Sequence, residues 1–290
     1  MARILPDIAP PVALLAAVAL AGACAREPGA GGPGVQPRVG TEPAADSPAS
    51  APGANPASAP GSGTAAADPR VASIHAAFRA GDFAGAEARC REWVAAANAD
   101  PRAAFYLGLA LHKQKRYGEA LPELEAAERA AADAFPERPH VPHYLGWCRL
   151  YLGDLAGAKV AFVEHARTFP DYDDTQFALG VIAYDEDRVA DAERQFRRAL
   201  ALLDSQRGPP RERAKCLARL GDCALRRDDV AGAERDYRAA LALWPDHHEA
   251  WAKLARVLDR TGRADEAAAA RARQQSILDA AAKPSGGAAR

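Results

Sequence analysis

The chain of 290 residues is 49% hydrophobic, yet it contains only 4 Trp, 7 Tyr and 8 Phe. Much of the hydrophobic fraction is alanine, which buries little surface and favours helix, so the composition excludes a β-sandwich or a large α/β enzyme core. Because 37 Lys+Arg balance 38 Asp+Glu to a net charge of −1, the chain lacks the basic excess of nucleic-acid-binding proteins, and we expect no nucleic-acid partner.

Residues 1–23 have the pattern of a signal peptide. Their apolar run, Val12 to Ala23, would rise about 18 Å as a helix, which is short of the roughly 30 Å hydrocarbon layer of a membrane. We therefore expect export and not a membrane span. The residues that end at Cys24 resemble a bacterial lipobox, in which the cysteine thiol takes a diacylglyceryl group.

The cleavage site leaves two outcomes open. Ala21 stands where the lipobox usually has leucine, and Ala21-Gly22-Ala23 also fits an ordinary cleavage site that would release a soluble secreted protein. We favour lipidation, because a cysteine at the first mature position is not expected by chance. Ala25, where an aspartate would retain a lipoprotein at the inner membrane, implies by resemblance an outer-membrane anchor facing the periplasm.

Residues 24–68 consist mainly of Ala, Pro, Gly and Ser, and residues 1–70 hold 12 of the 22 prolines. Such a segment cannot bury enough apolar surface to offset the entropy lost on ordering, so we predict a disordered linker. As a flexible coil of this length it would hold the following domain roughly 35–40 Å from its anchor.

From about residue 70 the chain repeats itself. A leucine followed by a small residue recurs at spacings of 38, 34, 41 and 34 residues, with an alanine twelve residues after each small residue. The pairs are Leu107-Gly108, Leu145-Gly146, Leu179-Gly180, Leu220-Gly221 and Leu254-Ala255, the alanines are Ala120, Ala158, Ala192, Ala233 and Ala267, and Leu124, Phe162, Phe196 and Tyr237 follow four positions later. Short polar turns such as Lys115-Arg116 lie between the two halves of each unit, which predicts paired helices packed through their small residues.

This pattern resembles the tetratricopeptide repeat (TPR), a helix-turn-helix unit of 34 residues. The resemblance implies an all-α solenoid of about six units over residues 69–281, followed by a disordered tail at 282–290. The first unit, marked by Gly81-Asp82, lacks the leucine-glycine pair. The last has Arg271 where the others carry a bulky apolar residue, so we expect a polar cap there.

In this family the first helices line a concave groove that binds protein segments. The resemblance therefore places the candidate binding residues opposite the buried stripe of each first helix. They are Phe105, Leu109, His112, His143, Trp147, Tyr151, Phe177, Tyr184, Arg226, Arg256 and Arg260. The groove would be aromatic first and cationic later, which favours a partner with an apolar part and an acidic part.

Two interpretations of the aromatic residues stay open. Phe105 and Phe177 could instead pack between neighbouring first helices, whereas Trp147 and Tyr151, one turn apart, are the strongest candidates for partner contact. The family's carboxylate clamp for chaperone C-termini is not matched, because no asparagine lies on a first-helix face.

No catalytic or metal-binding motif emerges. His140 and His143 lack a third ligand in register, and we expect both to face solvent. Cys216 and Cys223 lie seven residues apart on one helix, about 10.5 Å by rise and too far for a disulfide. We expect Cys90 to be a packed thiol, and pairing of Cys148 across units stays open. We therefore predict no enzyme activity, no cofactor and no metal.

These features predict a protein-interaction scaffold of the bacterial cell envelope that binds a protein or peptide in its groove. The alternative is a structural or self-associating repeat spacer without a dedicated ligand. The family resemblance does not choose between them, because this fold serves many partners.

Overall fold

The computed structural model describes residues 68–96, 100–131 and 133–282, and this part of the chain is all-α, as predicted. Successive helices pair antiparallel into about six two-helix units. The helices are α1 (Pro69–Arg79), α2 (Phe83–Ala96), α3 (Pro101–Lys113), α4 (Tyr117–Glu128), α5 (Val141–Tyr151), α6 (Leu155–Thr168), α7 (Asp173–Asp185), α8 (Val189–Ser205), α9 (Pro210–Arg226), α10 (Val230–Leu243), α11 (His248–Arg260) and α12 (Ala264–Ala282). A short 3-10 helix, Arg138–His140, precedes α5. Several predicted segments lie outside the described residues. They are the signal peptide, Cys24, nearly all of the linker, and residues 283–290 of the tail.

Each unit turns at a residue with a left-handed backbone. The glycines at these turns, Gly81, Gly153 and Gly262, have φ between 72° and 85°. The other three units place Lys115, Asp187 and Asp228 at the same point, with φ between 59° and 62°. The position therefore demands positive φ whichever side chain it carries, at a cost of about 1 kcal/mol or more for a residue other than glycine.

The leucine-glycine pairs mark the closest approach of the two helices in a unit. A Cβ added to Gly146 would lie 2.8 Å from the Phe162 ring, and the other three glycines of the pattern are equally tight against Leu124, Phe196 and Tyr237. The sixth unit has Ala255 here, and its Arg271 turns outward to pair with Asp259 at 2.6 Å. Because no ring fills that space, a Cβ is accommodated.

The buried stripes of successive units form a nearly continuous core, and each helix packs mainly on its sequence neighbours. Cys90, Cys148, Cys216 and Cys223 are buried free thiols, so the structure shows no disulfide among them. No helix within the described ranges is long and apolar enough to cross a membrane.

Candidate functional site on the first-helix face

The predicted binding residues lie on one side of α3, α5, α7, α9 and α11, which we call the first-helix face. Direct side-chain contacts join consecutive first helices along it. Phe105 meets Tyr144 between α3 and α5, with ring centroids 5.8 Å apart, and Lys253 Nζ donates to Asp222 Oδ2 at 2.7 Å between α11 and α9. The face is therefore partly a packing surface and partly accessible.

At the aromatic end of the face, most of the predicted binding residues are buried. Phe105, Leu109, His112, His143 and Trp147 are each less than one-tenth exposed. Phe105 packs on Phe135 and Tyr144, as its packing interpretation predicted. Phe177 is half-buried against Phe196, with centroids 5.4 Å apart. Partner contact by these residues stays a prediction.

Trp147 and Tyr151 belong to an aromatic stack. The Tyr151 ring lies 4.3 Å from that of Tyr117 at an interplanar angle of 11°, and 5.6 Å from that of Trp147. Trp147 Nε1 donates to Asp174 Oδ2 at 3.0 Å. Tyr151 keeps a partly accessible ring, so it is the member of this pair that a partner can reach without repacking.

The expectation that His140 and His143 face solvent is wrong. His143 is 3% exposed and His140 is half-buried, stacked on Phe169 at 4.3 Å. They are joined through His165 and Thr175 in a hydrogen-bonded series that ends at Asp174. The contacts are His140 Nδ1 to His165 Nε2 at 3.2 Å, His165 Nδ1 to Thr175 Oγ1 at 2.8 Å, His143 Nδ1 to Thr175 Oγ1 at 3.1 Å and His143 Nε2 to Asp174 Oδ2 at 3.2 Å.

These five residues, which we call the histidine chain, have one consistent direction when every imidazole is neutral. Because a carboxylate only accepts, His143 Nε2 carries the hydrogen that faces Asp174. His143 Nδ1 then accepts from the Thr175 hydroxyl, whose oxygen accepts from His165 Nδ1. His165 Nε2 finally accepts from His140 Nδ1, and every contact in the series is satisfied.

The charge of Asp174 is stabilised by this arrangement. Burial alone would raise its pKa, but hydrogen bonds from His143 and Trp147 and the nearby charge of Lys215 outweigh burial and lower the pKa below its usual value. Asp174 is therefore an ionised carboxylate on the first-helix face at neutral pH, with its side chain about one-third exposed.

The order Asp174, His143, Thr175 is that of an acid, a base and a hydroxyl nucleophile, the arrangement used in acyl transfer. Thr175 is 0% exposed, however, so no substrate can reach its Oγ1 in this structure. The contacts therefore support a structural role. Within the described residues, no group of three or more His, Cys, Asp or Glu side chains is placed to hold a metal ion.

His112 differs from the other buried histidines. Neither of its ring nitrogens has a hydrogen-bond partner among the described residues, although the ring packs edge-on against Tyr117 and Tyr144. Burial lowers the pKa of His112 to about 3, so the ring is neutral. A buried donor or acceptor without a partner costs about 1–3 kcal/mol, and His112 is a destabilising feature of the fold.

The cationic end of the face is accessible, in contrast to the aromatic end. Arg226, Arg256 and Arg260 are exposed. Arg226 lies 4.6 Å over the half-buried Tyr184 ring and pairs with Asp187, and Arg260 pairs with Asp228 at 2.6 Å. Arg256 forms no ion pair with a described residue, which leaves its guanidinium available to a carboxylate.

His165, Thr175 and Asp174 were not predicted as site residues, but the repeat contains a signal for the first two. Equivalent positions in other units carry small or apolar buried residues, apart from Gln274 in the terminal unit. They are Ala127, Ala199 and Ala240 for His165, and Ala103, Val141, Cys216 and Ala250 for Thr175. Two polar exceptions in buried columns of adjacent helices predict that the exceptions bond to each other. Aligning columns for polarity would have found them.

Comparison with known proteins agrees with this architecture. The chain is similar to the solved structure of the APC/C hetero-tetramer Cut9–Hcn1 (TM-score 0.60, 16% identity, covering 74% of this chain and 42% of that chain). It is also similar to pilF of Pseudomonas aeruginosa (TM-score 0.51, 16% identity, covering 60% and 76%) and to a double mutant of MamA RS-1 (TM-score 0.50, 14% identity, covering 63% and 97%). At these identities the likeness concerns the fold alone. No curated protein sequence matches the chain significantly.

A model of the tetratricopeptide repeat family matches residues 71–135, 145–209 and 218–282, about two thirds of the chain. Proteins built from this repeat are generally non-catalytic scaffolds that bind protein or peptide partners. The matched segments follow the helical pairs that carry the small-residue columns, and the chain therefore belongs to the tetratricopeptide repeat family.

Proposed function

We propose that this protein is a scaffold whose first-helix face binds a partner segment with an apolar part and an acidic part. The observation that carries the proposal is the polarity of that face. Tyr151 and Tyr184 offer half-buried rings, and the exposed Arg226 and Arg256 follow on the next two first helices. Aromatic rings give contact area at low entropic cost, and arginine pairs with carboxylates through two parallel hydrogen bonds.

The fold is compatible with assembly between different chains. The solved Cut9–Hcn1 structure, which resembles this protein in fold, is a hetero-tetramer. For the present chain, the family and the surface together support a protein partner.

The cellular setting is part of the proposal. The apolar run at Val12 to Ala23 and the cysteine that follows it support export and a lipid anchor at Cys24, which would place the repeat domain in the periplasm at the outer membrane. Intact-mass analysis of the mature protein should show a chain that begins at Cys24 and carries acyl groups. A Cys24→Ser variant should move from the detergent phase to the aqueous phase in a detergent partition, and an unmodified wild-type protein would contradict the anchor.

The binding proposal is tested by photocrosslinking in cells. A photoreactive amino acid at Tyr184 should capture one main partner, and adding Arg226→Gln with Arg256→Gln should reduce capture at least fivefold. The matched control removes two exposed arginines from second helices, Arg194→Gln with Arg235→Gln, and should leave capture unchanged. Crosslinks to a second copy of the chain would instead favour the self-associating spacer, and an equal loss in both double variants would refute a specific face.

A further inference from the structure

Two exposed valines lie side by side on α6, where the second helices of the next two units carry arginines. Val160 is 66% exposed and Val163 is 37% exposed, and both face the same side of α6 because they are three residues apart. The arginines at the equivalent positions of α8 and α10 are Arg194 and Arg235 for Val160, and Arg197 and Arg238 for Val163. The third unit therefore exposes apolar surface where its two successors expose charge.

The valines belong to a stripe with the spacing of a coiled coil. The stripe consists of Ala156, Val160, Val163 and Arg167, all exposed and separated by 4, 3 and 4 residues. This is the spacing of the a and d positions of a heptad, with Val160 at a and Val163 at d, and a β-branched residue at a favours two parallel helices. Since α6 is already held as a helix by its own unit, pairing adds no cost of helix formation.

Charges of opposite sign flank the stripe on its two edges. Lys159 directly precedes Val160, and Glu164 directly follows Val163, which places them at the g and e positions of the heptad. In a parallel pair of α6 helices, Lys159 of each copy would lie opposite Glu164 of the other. Lys159 also pairs with Glu186 of its own chain at 3.0 Å, and its side chain stays 43% exposed.

The helix on the Glu164 side of the stripe is acidic. This helix is α4, where burial and the nearby charge of Glu164 raise the pKa of Glu128. All the charged residues of α4 are glutamates: Glu119, Glu123, Glu125 and Glu128. This edge of the surface therefore favours a basic neighbour.

The helix on the Lys159 side carries exposed arginines. This helix is α8, whose Arg198 reaches back to the Pro170 carbonyl just after α6, at 3.0 Å. Arg194 and Arg197 of α8 have side chains 69% and 66% exposed, and each pairs with a carboxylate of its own helix. The most exposed groups on this edge are therefore guanidinium groups, which favour an acidic neighbour.

This surface complements itself in one orientation. A two-fold axis parallel to α6 would set the stripe of one copy on the stripe of the other, with α4 of each copy on the side of α8 of the other. Glutamates would then face arginines at both edges. A two-fold axis across α6 would instead bring α4 towards α4 and α8 towards α8, so that like charges face each other.

We propose that the α6 face, formed by Ala156, Lys159, Val160, Val163 and Glu164, binds a second copy of the chain with the two α6 helices parallel. Two turns of α6 supply only part of the about 1,200–2,000 Å² that stable interfaces bury, so the flanking charges contribute, and the dimer is weak and salt-sensitive. The first-helix face belongs to the other helix of each unit and stays open. The inference goes beyond the proposed function and does not depend on it.

Sedimentation equilibrium of the full chain tests self-association. The mean mass should rise from one chain toward two between about 1 and 200 μM, and added salt should weaken the association. Val160→Arg with Val163→Arg installs the residues that α8 and α10 carry at these positions, so helical content should be kept while the dissociation constant rises at least tenfold. The matched control changes the same two positions of α10, Arg235→Gln with Arg238→Gln, and should leave association unchanged.

A charge exchange tests the parallel orientation. Lys159→Glu alone and Glu164→Lys alone should each weaken association, because each variant places like charges opposite each other in a parallel pair. An equimolar mixture of the two variants should associate again, since the new carboxylate of one chain then faces the new ammonium group of the other. In an antiparallel pair, neither single variant would replace an attraction by a repulsion.

Three outcomes would overturn the proposal. They are a wild-type chain that stays monomeric at the highest concentration, which would leave the α6 face to a different partner, association that survives Val160→Arg with Val163→Arg, and wild-type association in both single charge variants. If the arginine variant does not fold, Val160→Ser with Val163→Ser removes the same apolar contact and should show the same loss. Capture of a partner at Tyr184 should be unchanged in these valine variants, so the dimer and the proposed function can fail separately.

Discussion

Two buried histidines on the first-helix face should respond oppositely to the same substitution. His112 is 8% exposed with both ring nitrogens unpartnered, whereas His143 is 3% exposed and bonded to Thr175 and Asp174. His112→Phe removes a polar group that the fold leaves unsatisfied and keeps the edge-on ring packing against Tyr117. His143→Phe makes the same change in ring size but removes two hydrogen bonds.

The expected magnitudes differ in sign. Relief of the unsatisfied group at His112 is worth about 1–3 kcal/mol, reduced by up to roughly 1 kcal/mol for fitting the larger ring. At His143 the lost bonds, one of them to a carboxylate, cost about 2–4 kcal/mol. The two variants should therefore differ by about 2–7 kcal/mol. For a domain of this size, the lower end of that range corresponds to roughly 4–8 °C in Tm.

Urea unfolding at pH 7.5, followed by circular dichroism at 222 nm, measures both free energies of unfolding. Phe occupies the His143 column in the two neighbouring units, as Phe105 and Phe177, so the ring itself is compatible with that position. A His112→Phe variant less stable than His143→Phe would refute the reasoning. A stabilised His112→Phe protein that loses its partner would in addition indicate that the unsatisfied ring is retained for binding.

Other predictions follow from the same structure. The free energy of unfolding should be nearly constant above pH 6.5 and should fall as the pH drops to 5.5. Each buried neutral histidine such as His165 contributes up to about 1.4 kcal/mol per pH unit to this fall. Urea titrations should show a smaller pH dependence for His165→Ala, and an unchanged pH dependence would exclude this histidine as its source. Gly146→Ala should lower the free energy of unfolding by about 1–3 kcal/mol, because the added Cβ would lie 2.8 Å from the Phe162 ring. Calorimetry that shows no change would mean that α5 and α6 can move apart without cost. Lys115→Gly should stabilise by about 0.5–1 kcal/mol by relieving a φ of 61°, and a loss of stability would show that the side chain contributes more than the strain removes.

The fold could be predicted from the sequence because the same residue pattern recurs in successive units, and each recurrence checks the assignment. Leu107-Gly108 alone says little, but its recurrence with Ala120 and a bulky residue at fixed distances specifies a helix pair, and the close contact of Gly108 with Leu124 explains why the pattern exists. The degenerate first unit and polar last unit also form helices, since each needs only one neighbour to pack against.

The site was less predictable, because helical periodicity shows which side of a helix a residue occupies but not how deeply neighbouring helices bury it. Trp147 occupies the predicted side of α5, yet α7 approaches closely enough for Asp174 to accept from its indole and cover it. His140 and His143 are near neighbours in sequence, but their partners lie on other helices, His165 on α6 of the same unit and Thr175 on α7 of the next unit. Such contacts depend on how far neighbouring units rotate, which single-chain spacing does not encode.

The left-handed residue at the same point of every unit has a consequence for how such a chain can change length. Each hairpin carries its own reversal, all but the first carry a glycine or alanine at the close approach of their two helices, and each packs mainly on its neighbours. Removing or copying a whole hairpin leaves the turn and the helix pairing of every other hairpin unchanged. A cut within a hairpin instead exposes the apolar stripes of both its helices. Growth and loss of this protein over time are therefore expected to proceed in complete hairpins, with the ends free to diverge.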